Sequence, residues 1–216
     1  MRVIDLTQSM ANGMPVMAGI TPPTFHDLAS VAADGYAMSE YTFVNHTGTH
    51  VDAPAHQIAG GGTLDDIPLD HLVTEALTID LSAHPPGPVG LDVLGCYLPG
   101  VRRNDIVLLR SGNARNWGTD AYWHGWCYPD TAAAEALIGA GVAGVGFDGP
   151  SADPVDSTDY RLHHVWLSAG AIILENLAAL DELPERCRIV VAPLKVKAAN
   201  GGPARVFALL GQGVPG

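Results

Sequence analysis

The sequence predicts an α/β or α+β fold built around a sizeable sheet, and three observations lead there. Short apolar runs with strand character recur at 2–6, 41–45, 76–81, 106–110, 142–147, 171–175, 188–193 and 204–210. Only one stretch, 132–138, reads as a clear helix. The composition is that of a folded protein, 47% hydrophobic and 16% charged over 216 residues, enough for one substantial core. One domain spanning 1–216 is the expectation.

In chain order, residues 2–6 read as a short buried strand. Between Gln8 and Pro23 the chain is rich in Gly, Pro, Met and Ala, and Pro15, Pro22 and Pro23 rule out a long helix. Irregular chain of that length usually serves a site or a lid. Filling gaps in a core is the expected role of at least two of its Met10, Met14 and Met17. The strand at 41–45 leads into residues 46–56, after which Gly60, Gly61 and Gly62 make a flexible turn. A short amphipathic stretch starts at 63–67, and the strand-like run 76–81 precedes a Pro-rich loop at 85–88.

The run 106–110 (Ile-Val-Leu-Leu-Arg) fits a strand buried on both faces. It leads into a loop holding Trp117, Tyr122, Trp123, His124, Trp126 and Tyr128. Aromatics at that density fit a pocket wall, a satellite core or a subunit interface equally well. Asp130 or Thr131 caps the helix 132–138, and Gly139 stops it. Residues 139–144 spell GxGxxG, but here a helix precedes the glycines and a strand follows. Dinucleotide binding needs the opposite order, so these glycines are a helix stop and a tight connection. The turn-rich loop 148–154 then lies at the carboxyl end of a strand, where open α/β sheets place their ligands. Glu175 closes another apolar strand, so its carboxylate is either paired or working.

The densest chemistry is in residues 46–56, where His46, His50, Asp52 and His56 all fall at even positions. In an extended segment they would share one face, with Thr47, Thr49, Val51, Ala53 and Ala55 on the other. A helix would carry Asp52 off the His46/His50 face, and Gly48, Pro54 and the β-branched residues argue against one. In a straight strand His46 and His50 would stand roughly 13 Å apart, whereas ligands of one ion lie about 2 Å from it. The chain must therefore bend, and Gly48 and Pro54 are where it can. A single histidine is usually a hydrogen-bonded structural residue. Four ionisable groups in phase, separated by Gly, Ala and Pro, point instead to a metal site.

A formal charge of −12 argues against nucleic acid or an anionic membrane as partner. Cys96, Cys127 and Cys187 form no CxxC pattern and no disulfide framework, which favours a reducing compartment. The N-terminal residues show no signal-peptide core, and no run approaches transmembrane length. A cytoplasmic protein is expected.

These motifs together resemble the metal-dependent cyclase/hydrolase family that includes bacterial kynurenine formamidase and isatin hydrolase. The resemblance runs nearly end to end. It covers Asp5-Leu6-Thr7, an HxGTHxDxPxH signature at 46–56, Gly146 to Ser151, His163, Glu175-Asn176-Leu177, Pro193-Leu194-Lys195 and Pro203-x-Arg205. It implies a swivelling β/β/α fold with a mixed sheet, a homodimer, and two divalent metal ions per subunit, usually zinc and in some members manganese. By position, His46, His50 and Asp52 would hold the first metal, with Asp52 bridging to a second completed by His163 and Glu175. The family's twelve-residue spacing to the glutamate selects His163 over His164. His56 would be the proton donor and acceptor. The implied reaction is hydrolysis of a C–N amide bond by a metal-activated hydroxide, with arylformamidase (N-formylkynurenine to kynurenine and formate) as the leading assignment.

Where kynurenine formamidase carries Pro-Val-Trp-Pro-Gly, with the Trp contacting substrate, this chain has Pro15-Val16-Met17-Ala18-Gly19. Met17 can pack on a ring through its sulfur, but the stacking surface is lost. That departure favours, as the alternative, hydrolysis of a cyclic amide, imide or lactone. A cyclase or dehydratase, or a metal-binding protein without chemistry, is a weaker reading.

Overall fold

Twelve strands carry the architecture of the computed structural model, which describes residues 1–211. They are β1 (Arg2–Asp5), β2 (Thr24–Ala29), β3 (Met38–Thr42), β4 (His50–Asp52), β5 (Val73–Asp80) and β6 (Gly87–Val89). The rest are β7 (Ile106–Arg110), β8 (Cys127–Pro129), β9 (Gly144–Phe147), β10 (Ile172–Glu175), β11 (Arg186–Pro193) and β12 (Gly201–Leu210). Eight form one sheet in the order β1-β12-β11-β5-β7-β9-β10-β4. β5, β7, β9 and β10 run parallel, and the flanking pairs are antiparallel. The predicted mixed α/β sheet is what the structure shows.

β4 also pairs with the start of β12, Gly201 opposite Asp52 and Pro203 opposite His50, so the sheet closes on itself like a barrel. Alternation along the strands divides the core into two. Ile106 and Leu108 of β7 point into one apolar cluster with Ile172, Leu174, Ile189 and Val206. Val107 and Leu109 point into the other, shared with Leu137, Trp166 and Leu167 of the helices Thr131–Gly139 and Arg161–Ser168. Burial on both faces is why the β7 sequence is a continuous apolar run. The two helices are the crossovers that parallel strands require. Asp130 caps the first, accepting from the Ala133 N–H at 2.8 Å.

Of the GxGxxG glycines, Gly139 is still helical and Gly141 (φ +91°) makes the turn that follows, so the helix stops later than expected. A Cβ on Gly144 would stand 2.6 Å from both Cγ1 and the carbonyl oxygen of Ile172, so the start of β9 fits beside β10 only without a side chain there.

Four sequence expectations need correction. β1 lies at the sheet edge with only Ile4 buried, so it is not the buried strand expected at 2–6. The strand expected at 41–45 is Met38–Thr42, because Val44 leaves it to line the central pocket. It pairs with β2 in an unforeseen two-stranded hairpin with a shift between Asp27 and Ala29. The loop expected at 85–88 contains β6, which pairs with β8. Of the three methionines, Met14 is buried while Met10 and Met17 are half-buried. No helix among the described residues is long and apolar enough to cross a membrane.

Candidate metal centre and active site

Residues 46–56 bend as their composition requires. Gly48 takes a left-handed backbone (φ +64°), β4 spans only His50–Asp52, and Pro54–His56 forms a 3₁₀ turn. β4 is clamped from both sides, with His50 opposite Glu175 and Asp52 opposite Ile173 on β10, and β12 on its other edge. Val51 points away into the core, fully buried. His46, His50, Asp52 and His56 converge, and they meet Glu175 and His163 from β10 and the helix Arg161–Ser168.

Asp52 stands at the centre. Its Oδ1 lies 2.6 Å from His46 Nδ1 and 3.4 Å from His50 Nε2. Its Oδ2 faces His163 Nε2 at 3.7 Å. Glu175 spans the same divide, with Oε2 3.4 Å from His50 Nε2 and Oε1 3.3 Å from His163 Nε2. Glu175 Oε1 also accepts from the Ala152 N–H at 3.0 Å. The His56 ring lies over that of His46, with centroids 4.0 Å apart, and its centroid is 5.8 Å from that of His163. His164, next in sequence, is exposed at the rim.

Surrounding groups aim the imidazoles. His50 Nδ1 donates to the Gly48 carbonyl at 2.9 Å, which turns Nε2 toward the carboxylates. His163 Nδ1 donates to Asp153 Oδ2 at 2.6 Å, with the same effect. Asp153 also accepts from the Leu162 and His163 backbone N–H groups, fixing the start of that helix. His46 is held between Asp52 and Asn200, and a Cβ on Gly201 would stand 2.5 Å from its Cε1. Asp153 and Asn200 were given no role from sequence, and Asn176 entered only within the Glu175-Asn176-Leu177 motif. Asp153 had a signal, a carboxylate in the loop after β9, and Asn176 had its place beside Glu175; Asn200 had none.

Burial by itself would lower the His50 pKa, but Asp52 and Glu175 push it up to about 9. At His163 burial is again outweighed, here by hydrogen bonds to Asp153 and Glu175, and the pKa rises to about 10. Burial raises and the His50 and His46 rings lower the Asp52 pKa, leaving it well below the usual carboxylate range. His56 differs, because burial lowers its pKa and keeps it neutral near pH 7.

The donor set fits a divalent cation. Asp52 Oδ2 is buried and has no hydrogen-bond partner among the described residues. Leaving a buried carboxylate oxygen unpaired is costly. Imidazole nitrogens and carboxylate oxygens converging on it are the ligands zinc and manganese take. Two triads have ligand atoms within 4.8 Å of one another, His46/Asp52/His56 and His50/Asp52/Glu175.

These groups form the floor of a cavity of about 530 Å³. Its walls include Met17, Ile20, Val44, Trp117, Trp123 and Tyr160. The aromatic loop is therefore divided in its roles. Trp117 and Trp123 line the cavity, Tyr122 is buried with its ring edge-on to both, and Trp126 packs in the apolar cluster of Val107 and Leu109.

A bent strand presenting imidazoles and a shared carboxylate to an apolar cavity defines an enzyme of the metal-dependent type. The Cyclase family model matches residues 4–154. A kynurenine formamidase from Salinibacter ruber is 34% identical over 215 residues, covering 95% of this chain and 96% of the relative. Isatin hydrolase A from Ralstonia solanacearum superposes with a TM-score of 0.85 at 27% identity, covering 96% of this chain and 91% of that one. A structure described as a potential metal-dependent hydrolase with cyclase activity superposes at 0.80 with 29% identity, covering 96% of each chain. The chain belongs to the Cyclase family, and it is a hydrolytic enzyme.

Proposed function

We propose that the enzyme is an arylformamidase, hydrolysing N-formylkynurenine to kynurenine and formate with two divalent ions, zinc first and manganese second. The observation that carries this reading is the division of Asp52. One oxygen faces His46 and His50, and the other, without a partner, faces His163. His46, His50 and Asp52 would hold one ion, and Asp52, His163 and Glu175 the other. The aryl group would lie against Trp117, Trp123 and Met17. The kynurenine formamidase relatives support this substrate.

When bound, the ions would bring the pKa of water toward neutrality and polarise the scissile carbonyl. The chain's own groups supply the rest. The apolar walls orient the ring and exclude bulk water from the carbonyl. His56, neutral near pH 7 and in contact with the His46 ring, takes a proton as water adds to the carbonyl carbon. It returns that proton to the substrate nitrogen as the C–N bond breaks. The proton matters because an amine anion is a very poor leaving group.

Met17 in place of tryptophan favours a second reading, opening of a cyclic amide such as isatin, which the Ralstonia solanacearum neighbour also supports. We place the enzyme in the cytoplasm, acting in tryptophan breakdown as one domain over 1–216 and as a homodimer. The free cysteines support the compartment. The exposed Leu28, Val31, Tyr36, Met38 and Tyr41 around the β2–β3 hairpin support the dimer.

The test is kcat/KM for N-formylkynurenine and for isatin with zinc- or manganese-loaded protein beside a chelated control. Chelator-sensitive turnover of N-formylkynurenine above about 10⁴ M⁻¹s⁻¹ is expected. Bound metal with turnover of isatin alone would overturn the substrate and leave the metal centre.

A further inference from the structure

We propose that Asn176 is a positioning residue, which holds the His50 imidazole at the metal centre through the Gly48 carbonyl and ties it to the aromatic loop through Tyr122. Asn176 follows Glu175 directly and is 8% exposed. Its Nδ2 donates to the Gly48 carbonyl at 2.9 Å, and its Oδ1 accepts from the Tyr122 hydroxyl at 2.8 Å. The amide orientation is fixed by chemistry, because a carbonyl only accepts and so must face the nitrogen.

The Gly48 carbonyl thus receives two donors, the Asn176 amide and His50 Nδ1. This oxygen decides where His50 Nε2 points, and Asn176 decides where the oxygen sits. Gly48 has the left-handed backbone of a tight bend and carries no side chain of its own to hold it. A second bond locks the same joint, since Thr49 Oγ1 donates to the Asn176 carbonyl at 2.6 Å. Asn176 is itself left-handed (φ +59°), a conformation that asparagine tolerates better than most residues. At its other end, the Tyr122 ring braces Trp117 and Trp123, with centroids 5.0 and 5.6 Å away. One amide therefore joins a proposed metal ligand to two walls of the cavity.

The inference rests on the metal-centre reading, and zinc affinity tests both separately. The variants are Asn176→Gly, which deletes the amide without straining the left-handed backbone, and Tyr122→Phe, which deletes only a hydroxyl. Zinc dissociation constants are measured by competition with a chromophoric chelator, on protein shown to be folded by circular dichroism. Asn176→Gly is expected to weaken zinc binding about 10–100-fold, the usual effect of removing a group that orients a ligand. Tyr122→Phe is expected to weaken it about fivefold, in line with one neutral hydrogen bond. Tyr122→Phe should then cost nothing further in the Asn176→Gly background, because its only route to the centre is gone.

A purely structural role would lower Tm while leaving zinc affinity of the folded variants unchanged, and that result overturns the proposal. Equal effects of Tyr122→Phe in both backgrounds also overturn it. If Asn176→Gly does not fold, Tyr122→Phe alone decides, and unchanged zinc affinity sinks the coupling. Absence of zinc binding by the unmodified enzyme would instead defeat the metal-centre reading itself.

Discussion

Asp153 and His163, ten residues apart, meet at 2.6 Å between a carboxylate oxygen and Nδ1, and the same carboxylate holds the first N–H groups of the helix that carries His163. Ring orientation and helix start are thus set by one side chain. Asp153→Asn keeps an acceptor for the helix but can no longer bind the imidazole as an anion. Zinc affinity is expected to fall about 10–100-fold with the helix retained, measured by calorimetry and circular dichroism. Unchanged affinity would show that β10 packing alone aims His163.

Asp52 and His56 should separate metal holding from proton transfer. Asp52→Asn is expected to lose most of the bound metal, read by elemental analysis of the purified protein, because the carboxylate shared by both halves of the site is gone. His56→Ala should keep its metal and lose about 10²–10⁴ in kcat. Wild-type turnover by metal-loaded His56→Ala would remove His56 from the mechanism.

In the metal-free protein, His50 and His163 carry protons at pH 7, since their values are raised to about 9 and about 10. Metal uptake at pH 7 should therefore release a proton from each ring, measurable by calorimetry in buffers of different ionisation enthalpy. Zinc affinity should rise with pH until those values are passed. Stability of the metal-free protein should run the other way. Groups with raised folded-state values stabilise fully below the ordinary 6.5 and lose that contribution as pH climbs through about 9 to 10. A metal-free Tm that increases across this window would contradict the assignment.

Trp123 lines the cavity yet makes none of the hydrogen bonds at the metal centre. Trp123→Leu should raise KM for an aromatic amide by roughly 2–10-fold, in line with one lost aromatic contact, and leave kcat nearly intact. A collapse of kcat with KM unchanged would place Trp123 in orientation of the scissile bond rather than in ring binding.

The site was more legible in the sequence than the frame around it. Residues 46–56 declared themselves because local rules suffice: in-phase ionisable groups, with Gly48 and Pro54 marking the bends. β7 was legible from its apolar run, and the helix after Asp130 from its cap. The β2–β3 hairpin was not, because nearly all its residues are exposed and no burial alternates along it. Nor were the roles of Asn176, Asn200 and Asp153. Each works through a partner far along the chain or on another element, and no local pattern encodes that. His46 and Asn200, for instance, are 154 residues apart.

That separation bears on the order in which the site can form during synthesis. β4 is synthesised early, but the strand that closes the ring against it, β12, emerges about 150 residues later, together with Asn200 and Gly201. Until then the ligand-bearing bend has one open flank and His46 lacks its cradle. Nascent chains should therefore capture metal poorly, however early their histidines appear. Under the metal-centre reading, loading is expected only after β12 has closed against β4.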